Sequence, residues 1–125
     1  MAAMRRAART RPTAASRPAG RRQPAIRAGY EHFRLDRQGA LVSRTTLGFY
    51  DAHVLPFLAW LDGEGVQRFE HLDVDHARLY RARLATTPGR HGRPLQPNTL
   101  HGSHRAIATF LRWASREGYP IDDRI

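Results

Sequence analysis

From Pro97 to Gly118 the chain reads PNTLHGSHRAIATFLRWASREG, and this stretch restricts the fold more than any other. At 3.6 residues per turn, Leu100, Ser103, Ile107, Phe110, Leu111 and Ala114 share a sector of roughly 100°, the width of a stripe that packs on a core. His101, Arg105, Arg112 and Arg116 share a sector of roughly 60° on the far side, with Ala108 among them. No acid interrupts this second stripe. Solvated helix faces usually mix both signs of charge, so a face of one sign suggests a polyanionic partner. Pro97 suits the first turn, where its missing N–H costs nothing.

A helix with one apolar stripe needs other elements to cover it, and the rest of the chain supplies helices rather than strands. In AIRAGYEHFRLDRQG, Ile26, Tyr30 and Phe33 recur at i, i+4 and i+7, which predicts a short helix with a thin apolar face, ending near Gly39. Ser43 is placed to cap a second helix, whose Leu47, Tyr50, Val54, Phe57, Leu58 and Leu61 face inward until DGEG stops it. Pro56 removes one hydrogen bond from that helix and crowds the turn before it, so a kink is expected there. Asp73 caps a third, with Val74, Ala77, Tyr80 and Leu84 inward, and the loop TTPGRHGRPLQ leads on to Pro97. Four helices joined by short connections, with no repeat, make an all-α, compact four-helix bundle.

The chain has 125 residues, enough for one core, and a formal net charge of +10. All 21 basic residues are Arg. That preference can reflect coding bias, yet arginine gives bidentate phosphate contacts whatever its origin. Residues 1–24 hold seven Arg, three Pro and no acid. They read as a disordered arm that either adds phosphate contacts or is a leader of no consequence, with residues 25–125 as the folded helical domain. A transit peptide is a weaker reading of the arm, because it lacks an apolar helical face. Cysteine is absent, which excludes a disulfide framework and suits a reducing cytoplasm. The longest apolar run, VLPFLAWL, is far too short to span a bilayer, so a soluble chain without a membrane partner is expected.

The order of these segments resembles the N-terminal core-binding, or SAM-like, domain of tyrosine recombinases and phage integrases. The resemblance runs from about Tyr30 to Ile125. Its family's Ser-x-x-Thr helix start, internal Tyr and closing aromatic run match Ser43, Thr46, Tyr50 and FLAWL from Phe57 to Leu61. The family's last helix matches Pro97, Thr99, FLRW from Phe110 to Trp113, and Gly118. The resemblance implies a domain that lies across one face of double-stranded DNA at a recombination site, with other recombinase subunits on the same DNA. It implies no cofactor and no small-molecule substrate, and a cytoplasmic location on the nucleoid. The family's catalytic Arg, His-x-x-Arg pair and tyrosine nucleophile stabilise and attack a phosphate. This sequence has no His-x-x-Arg, and its Tyr30, Tyr50, Tyr80 and Tyr119 all fall within the helical segments or just beyond them. Binding therefore carries over and catalysis does not: the expectation is a non-enzymatic piece of such a protein, lacking its catalytic domain.

Position selects the residues expected to meet DNA. Ser43, Arg44 and Thr45 open a helix, where free N–H groups and the helix dipole favour a phosphate, although Ser43 also suits plain capping. Arg90, His91 and Arg93 occupy a Gly-flanked loop able to follow a backbone closely. Asn98, Thr99, His101 and Arg105 lie in the first turns of the last helix, from which base edges in a major groove are within reach. Arg112, further along, suits a phosphate, as does Arg116. The His101-x-x-His104 pair is not read as a metal site, because His104 projects toward the core sector and no third ligand is near. Trp60 and Trp113 read as lids on the core rather than as base-stacking platforms. Two other readings remain open. One is a helical protein-interaction domain, favoured by a large exposed apolar patch. The other is a small DNA-binding regulator, disfavoured by the long loop before Pro97.

Overall fold

Phe110 is wholly buried, and the elements that bury it define the architecture. The computed structural model describes residues 25–88, 92–122 and 124. Among these residues lie four α-helices, α1 (Ile26–Gly39), α2 (Arg44–Gly63), α3 (Val74–Thr86) and α4 (Pro97–Arg116), and a 3-10 turn at Phe69–His71. Among the described residues the only strand-like pairings are two isolated bridges, Ala25 with Arg68 and Pro88 with Pro94. The chain is therefore all-α, and each helix begins and ends within a residue or two of its expected place. The arm predicted over residues 1–24 lies outside the described residues.

The helix starts follow from local chemistry. Ser43 Oγ accepts the Thr46 N–H at 3.1 Å, which caps α2. Asp73 accepts the N–H groups of Asp75 and His76, while His76 Nδ1 accepts the Asp73 N–H in return, closing a capping box on α3. No side chain caps α1; instead the Ile26 N–H donates to the Gln67 carbonyl at 2.9 Å, so the α2–α3 connection satisfies it. α2 runs unbroken through Pro56, whose ring lies on the solvent side.

Three helices end in the same motif. Gly65 N–H donates to the Asp62 carbonyl and Val66 N–H to Leu61, with Gly65 in the left-handed region at φ 77°. Gly118 and Tyr119 repeat this pattern on Ser115 and Ala114, with φ 94° at Gly118. These are Schellman closures, which place a residue of positive φ just past the helix. At the end of α1 the same two bonds run from Leu41 to Gln38 and from Val42 to Arg37, but the residue at φ 62° is Leu41.

The core is aromatic. Phe33, at the centre of α1, meets Tyr50 of α2 and Phe110 and Trp113 of α4 edge-on, at centroid distances of 5.0, 5.5 and 5.4 Å. Such edge-to-face contacts add to the area that each ring buries. A second group, Phe57, Trp60 and Tyr80, joins α2 to α3. Phe69 fills the space beside Gly29, where a Cβ atom would stand 2.6 Å from its ring. Trp113 is buried, and its indole N–H donates to the Asp36 carboxylate at 3.2 Å.

Polar ties link α1 to α2. Asp51 accepts the Tyr30 hydroxyl at 2.7 Å and two bonds from the Arg34 guanidinium, each 2.9 Å. Burial pushes the Tyr30 phenol well above its ordinary value, with the Asp51 hydrogen bond and charge adding to it, so the phenol stays a donor. Burial also works to raise the Asp51 carboxyl. The hydrogen bonds from Arg34 and Tyr30 and the Arg34 charge outweigh it, leaving the pKa below the usual value.

Candidate nucleic-acid interface

α4 packs against α1, α2 and α3, and this decides which of its residues remain outside. Its buried positions, from Gly102 through Trp113, Ala106, Phe110, Ser103, Ala114 and Ile107 to Leu111, cover about 180° of the helix rather than the expected 100°. The extra width lies on the side of Gly102, Ala106 and Trp113. Beside Gly102, a Cβ atom would stand 3.4 Å from His53 and from Phe49 of α2.

The remaining arc carries His101, His104, Arg105, Arg112 and Arg116, all exposed, with Ala108 half-buried between them. His104 corrects the expectation stated above: it does not turn into the core but joins the basic arc at its edge. Position 104 lies about 20° beyond Leu111, which bounds the buried sector on that side, while the added burial is on the opposite side. Arg105 lies over the Phe49 ring of α2, with its guanidinium carbon 5.4 Å from the ring centroid.

The charges of the protein are sorted. All three α1 arginines hold carboxylates: Arg27 with Asp62 at 2.6 Å, Arg34 with Asp51 at 2.9 Å and Arg37 with Asp36 at 3.0 Å. Arg68 and Arg78 pair locally with Glu70 and Asp75. By contrast Arg81, Arg105, Arg112 and Arg116 have no carboxylate within ion-pair distance among the described residues, nor do Arg44 and Arg93. The titrating groups register the excess. Burial, then the charges of Arg81, Arg112 and His101, hold the His104 imidazole below its ordinary value. Burial, then Arg105, does the same to His53.

Of the residues selected from the sequence, His101, Arg105 and Arg112 share this one face. Asn98 and Thr99 are exposed in the first turn of α4, and Arg93 is exposed in the loop that precedes it. Ser43, Arg44 and Thr45 are exposed at the start of α2, where the Ser43 hydroxyl is engaged as the cap. Arg90 and His91 lie outside the described residues. Sequence reasoning missed Arg81 of α3, whose charge acts on His104. Its only signal was a place next to the inward-facing Tyr80, which fixes how α3 is rotated. Among the described residues no group of three or more His, Asp or Glu could hold a metal ion. None of their helices is long and apolar enough to cross a membrane.

No protein-family model, no curated protein and no solved structure matches the chain.

Proposed function

We propose that this chain binds double-stranded DNA through the exposed face of α4, as a module of the core-binding, SAM-like kind used by tyrosine recombinases and phage integrases, and that it supplies grip on the duplex without strand-exchange chemistry. The observation that carries this reading is the sorting of charge. Arginines on α1 are neutralised by neighbouring carboxylates, whereas those on α4 and its flank have none, although a folded protein gains by pairing them. A row of phosphates supplies the missing anions. An isolated helix face also suits a major groove, where Asn98 and Arg105 would meet base edges while Arg112 and Arg116 meet phosphates. The succession of a Ser-capped α2, a short α3 and a Pro-started α4 supports the family assignment within this reading. The exposed large apolar side chains, Leu35, Leu41, Leu55 and Leu79, fall on four separate segments and none is on α4, so nothing specific favours a partner helix there.

The test is a fluorescence anisotropy titration of the full chain against a labelled duplex of about 20 bp at low and at physiological salt, beside an Arg105→Ala, Arg112→Ala double variant. Binding that weakens with salt and drops in the double variant is the expected result. A folded chain that ignores the duplex at low salt overturns the reading.

A further inference from the structure

Gly102 lies buried in the second turn of α4, although glycine is a poor helix former. A Cβ atom there would stand 3.4 Å from both Phe49 Cε1 and His53 Nε2 of α2, so the bare Cα lets these two half-buried rings close on α4. The rings meet edge-on, with centroids 4.9 Å apart. Three residues beyond Gly102, the Arg105 guanidinium carbon lies over the outer face of the cluster, 5.4 Å from the Phe49 centroid. Among the described residues Arg105 is the one arginine of the α4 face that lies over a ring, and its side-chain N–H groups have no protein acceptor there. We infer that Arg105 reads a guanine in the major groove, and that Phe49, His53 and Gly102 are positioning residues that hold its guanidinium for that reading. This rests on the DNA reading above and adds to it the base that is read and the groups that fix the reader.

The choice of guanine follows from donors and acceptors. Guanine alone presents two acceptors side by side in the major groove, N7 and O6; adenine sets a donor beside its N7, thymine a methyl group beside its O4, and cytosine offers a donor. A guanidinium meets both guanine acceptors with two parallel N–H bonds, which requires a fixed plane and direction. A phosphate makes no such requirement, because its oxygens accept from many directions and a mobile side chain serves it equally well. A guanidinium resting on a ring has given up part of its rotamer freedom before DNA arrives, so less is lost when it binds. The seat is therefore spent on the one arginine whose task needs geometry, while Arg112 and Arg116, without a ring beneath them, suit phosphates.

The experiment uses the full chain to select duplexes from a pool with a randomised centre at low salt. The selected duplexes should share a guanine, and replacing it by 7-deazaguanine, which lacks the N7 acceptor, should weaken the parent by about three- to tenfold. Arg105→Ala should lose this penalty. Phe49→Leu, His53→Leu and Gly102→Val should shrink it to below about twofold while binding a scrambled duplex like the parent, a split that mere loss of structure would not produce. Melting curves identify any variant that fails to fold; Phe49→Leu, which keeps an apolar neighbour at a half-buried position, then decides. If duplexes bind but no guanine is selected, or Arg105→Ala keeps the full penalty, the guanine reading is overturned while the DNA reading stands. If Arg105→Ala loses the penalty and Phe49→Leu keeps it in full, the positioning roles are overturned. If no duplex binds at low salt, the DNA reading falls as well.

Discussion

The Arg105 guanidinium on α4 rests on the face of the Phe49 ring on α2, 5.4 Å from its centroid. Phe49 is itself held edge-on by His53 at 4.9 Å, so the arginine is presented from a fixed seat rather than on a free stem. A cation–π contact at an exposed site contributes about 0.5–1 kcal/mol. Arg105→Ala should therefore cost no more than about 1 kcal/mol of stability. Its effect on DNA affinity should be larger, about 1–3 kcal/mol, concentrated on one base position if the side chain reads a base. Phe49→Leu keeps an apolar neighbour and removes the ring face, and should weaken binding by a smaller amount. Melting curves beside titrations separate the two effects. A folded Arg105→Ala that binds like the parent would show the basic face to be ordinary solvated surface.

Salt tests the face as a whole. With about five arginines neutralising phosphates, log K should fall against log salt with a slope of about −4 to −5, and Arg112→Ala should flatten it by about one. Residues 1–24 carry seven arginines and no acid, so a chain lacking them should bind more weakly and show a shallower slope. A slope near zero in the parent would remove phosphate as the partner.

What was legible in the sequence is local chemistry. Ser43, Asp73 and Pro97 mark helix starts because a cap or a missing N–H acts within one turn. Gly65 and Gly118 mark helix ends because only glycine meets positive φ without strain. The His76 half of the α3 capping box went unread, since Glu or Gln is the usual partner there. The width of the buried sector on α4 went unread because it depends on three helices packing around it. His104 lies just past the Leu111 edge of that sector and is exposed beside the basic arc. The Tyr30, Arg34 and Asp51 cluster spans separations of 17 and 21 residues, beyond any spacing rule within one helix.

Asp51→Asn tests that cluster. It preserves shape, removes the charge that Arg34 and Tyr30 share, and should destabilise the fold by about 1–3 kcal/mol, nearer the lower figure because the ion pair is about a third exposed. The wild-type carboxyl has its pKa depressed on folding. Its contribution is therefore present above the unfolded-state value and is lost as pH falls through the folded one. Urea unfolding of both proteins should show a gap at about pH 7 that narrows as pH falls below the ordinary carboxylate range. A gap that persists unchanged in acid would mean that Asp51 acts through shape alone.

Leu41 occupies the left-handed position that glycine fills at the ends of α2 and α4. An L-residue pays roughly 1–2 kcal/mol for that conformation. Glycine avoids this cost but loses about 0.5–1 kcal/mol through the greater freedom of its unfolded chain. The Leu41 side chain is 89% exposed, so its removal forfeits almost no packing. Leu41→Gly should therefore stabilise the domain by about 0.5–1 kcal/mol, raising the melting midpoint by about 2–8 °C. DNA affinity should stay unchanged, because the α1–α2 turn carries none of the α4 cations. Gly118→Ala is the converse: the same closure with a Cβ at φ 94° should lower the midpoint. If Leu41→Gly melts below the parent, backbone strain is not what limits this helix end, and the Leu41 side chain has a role that its exposure conceals.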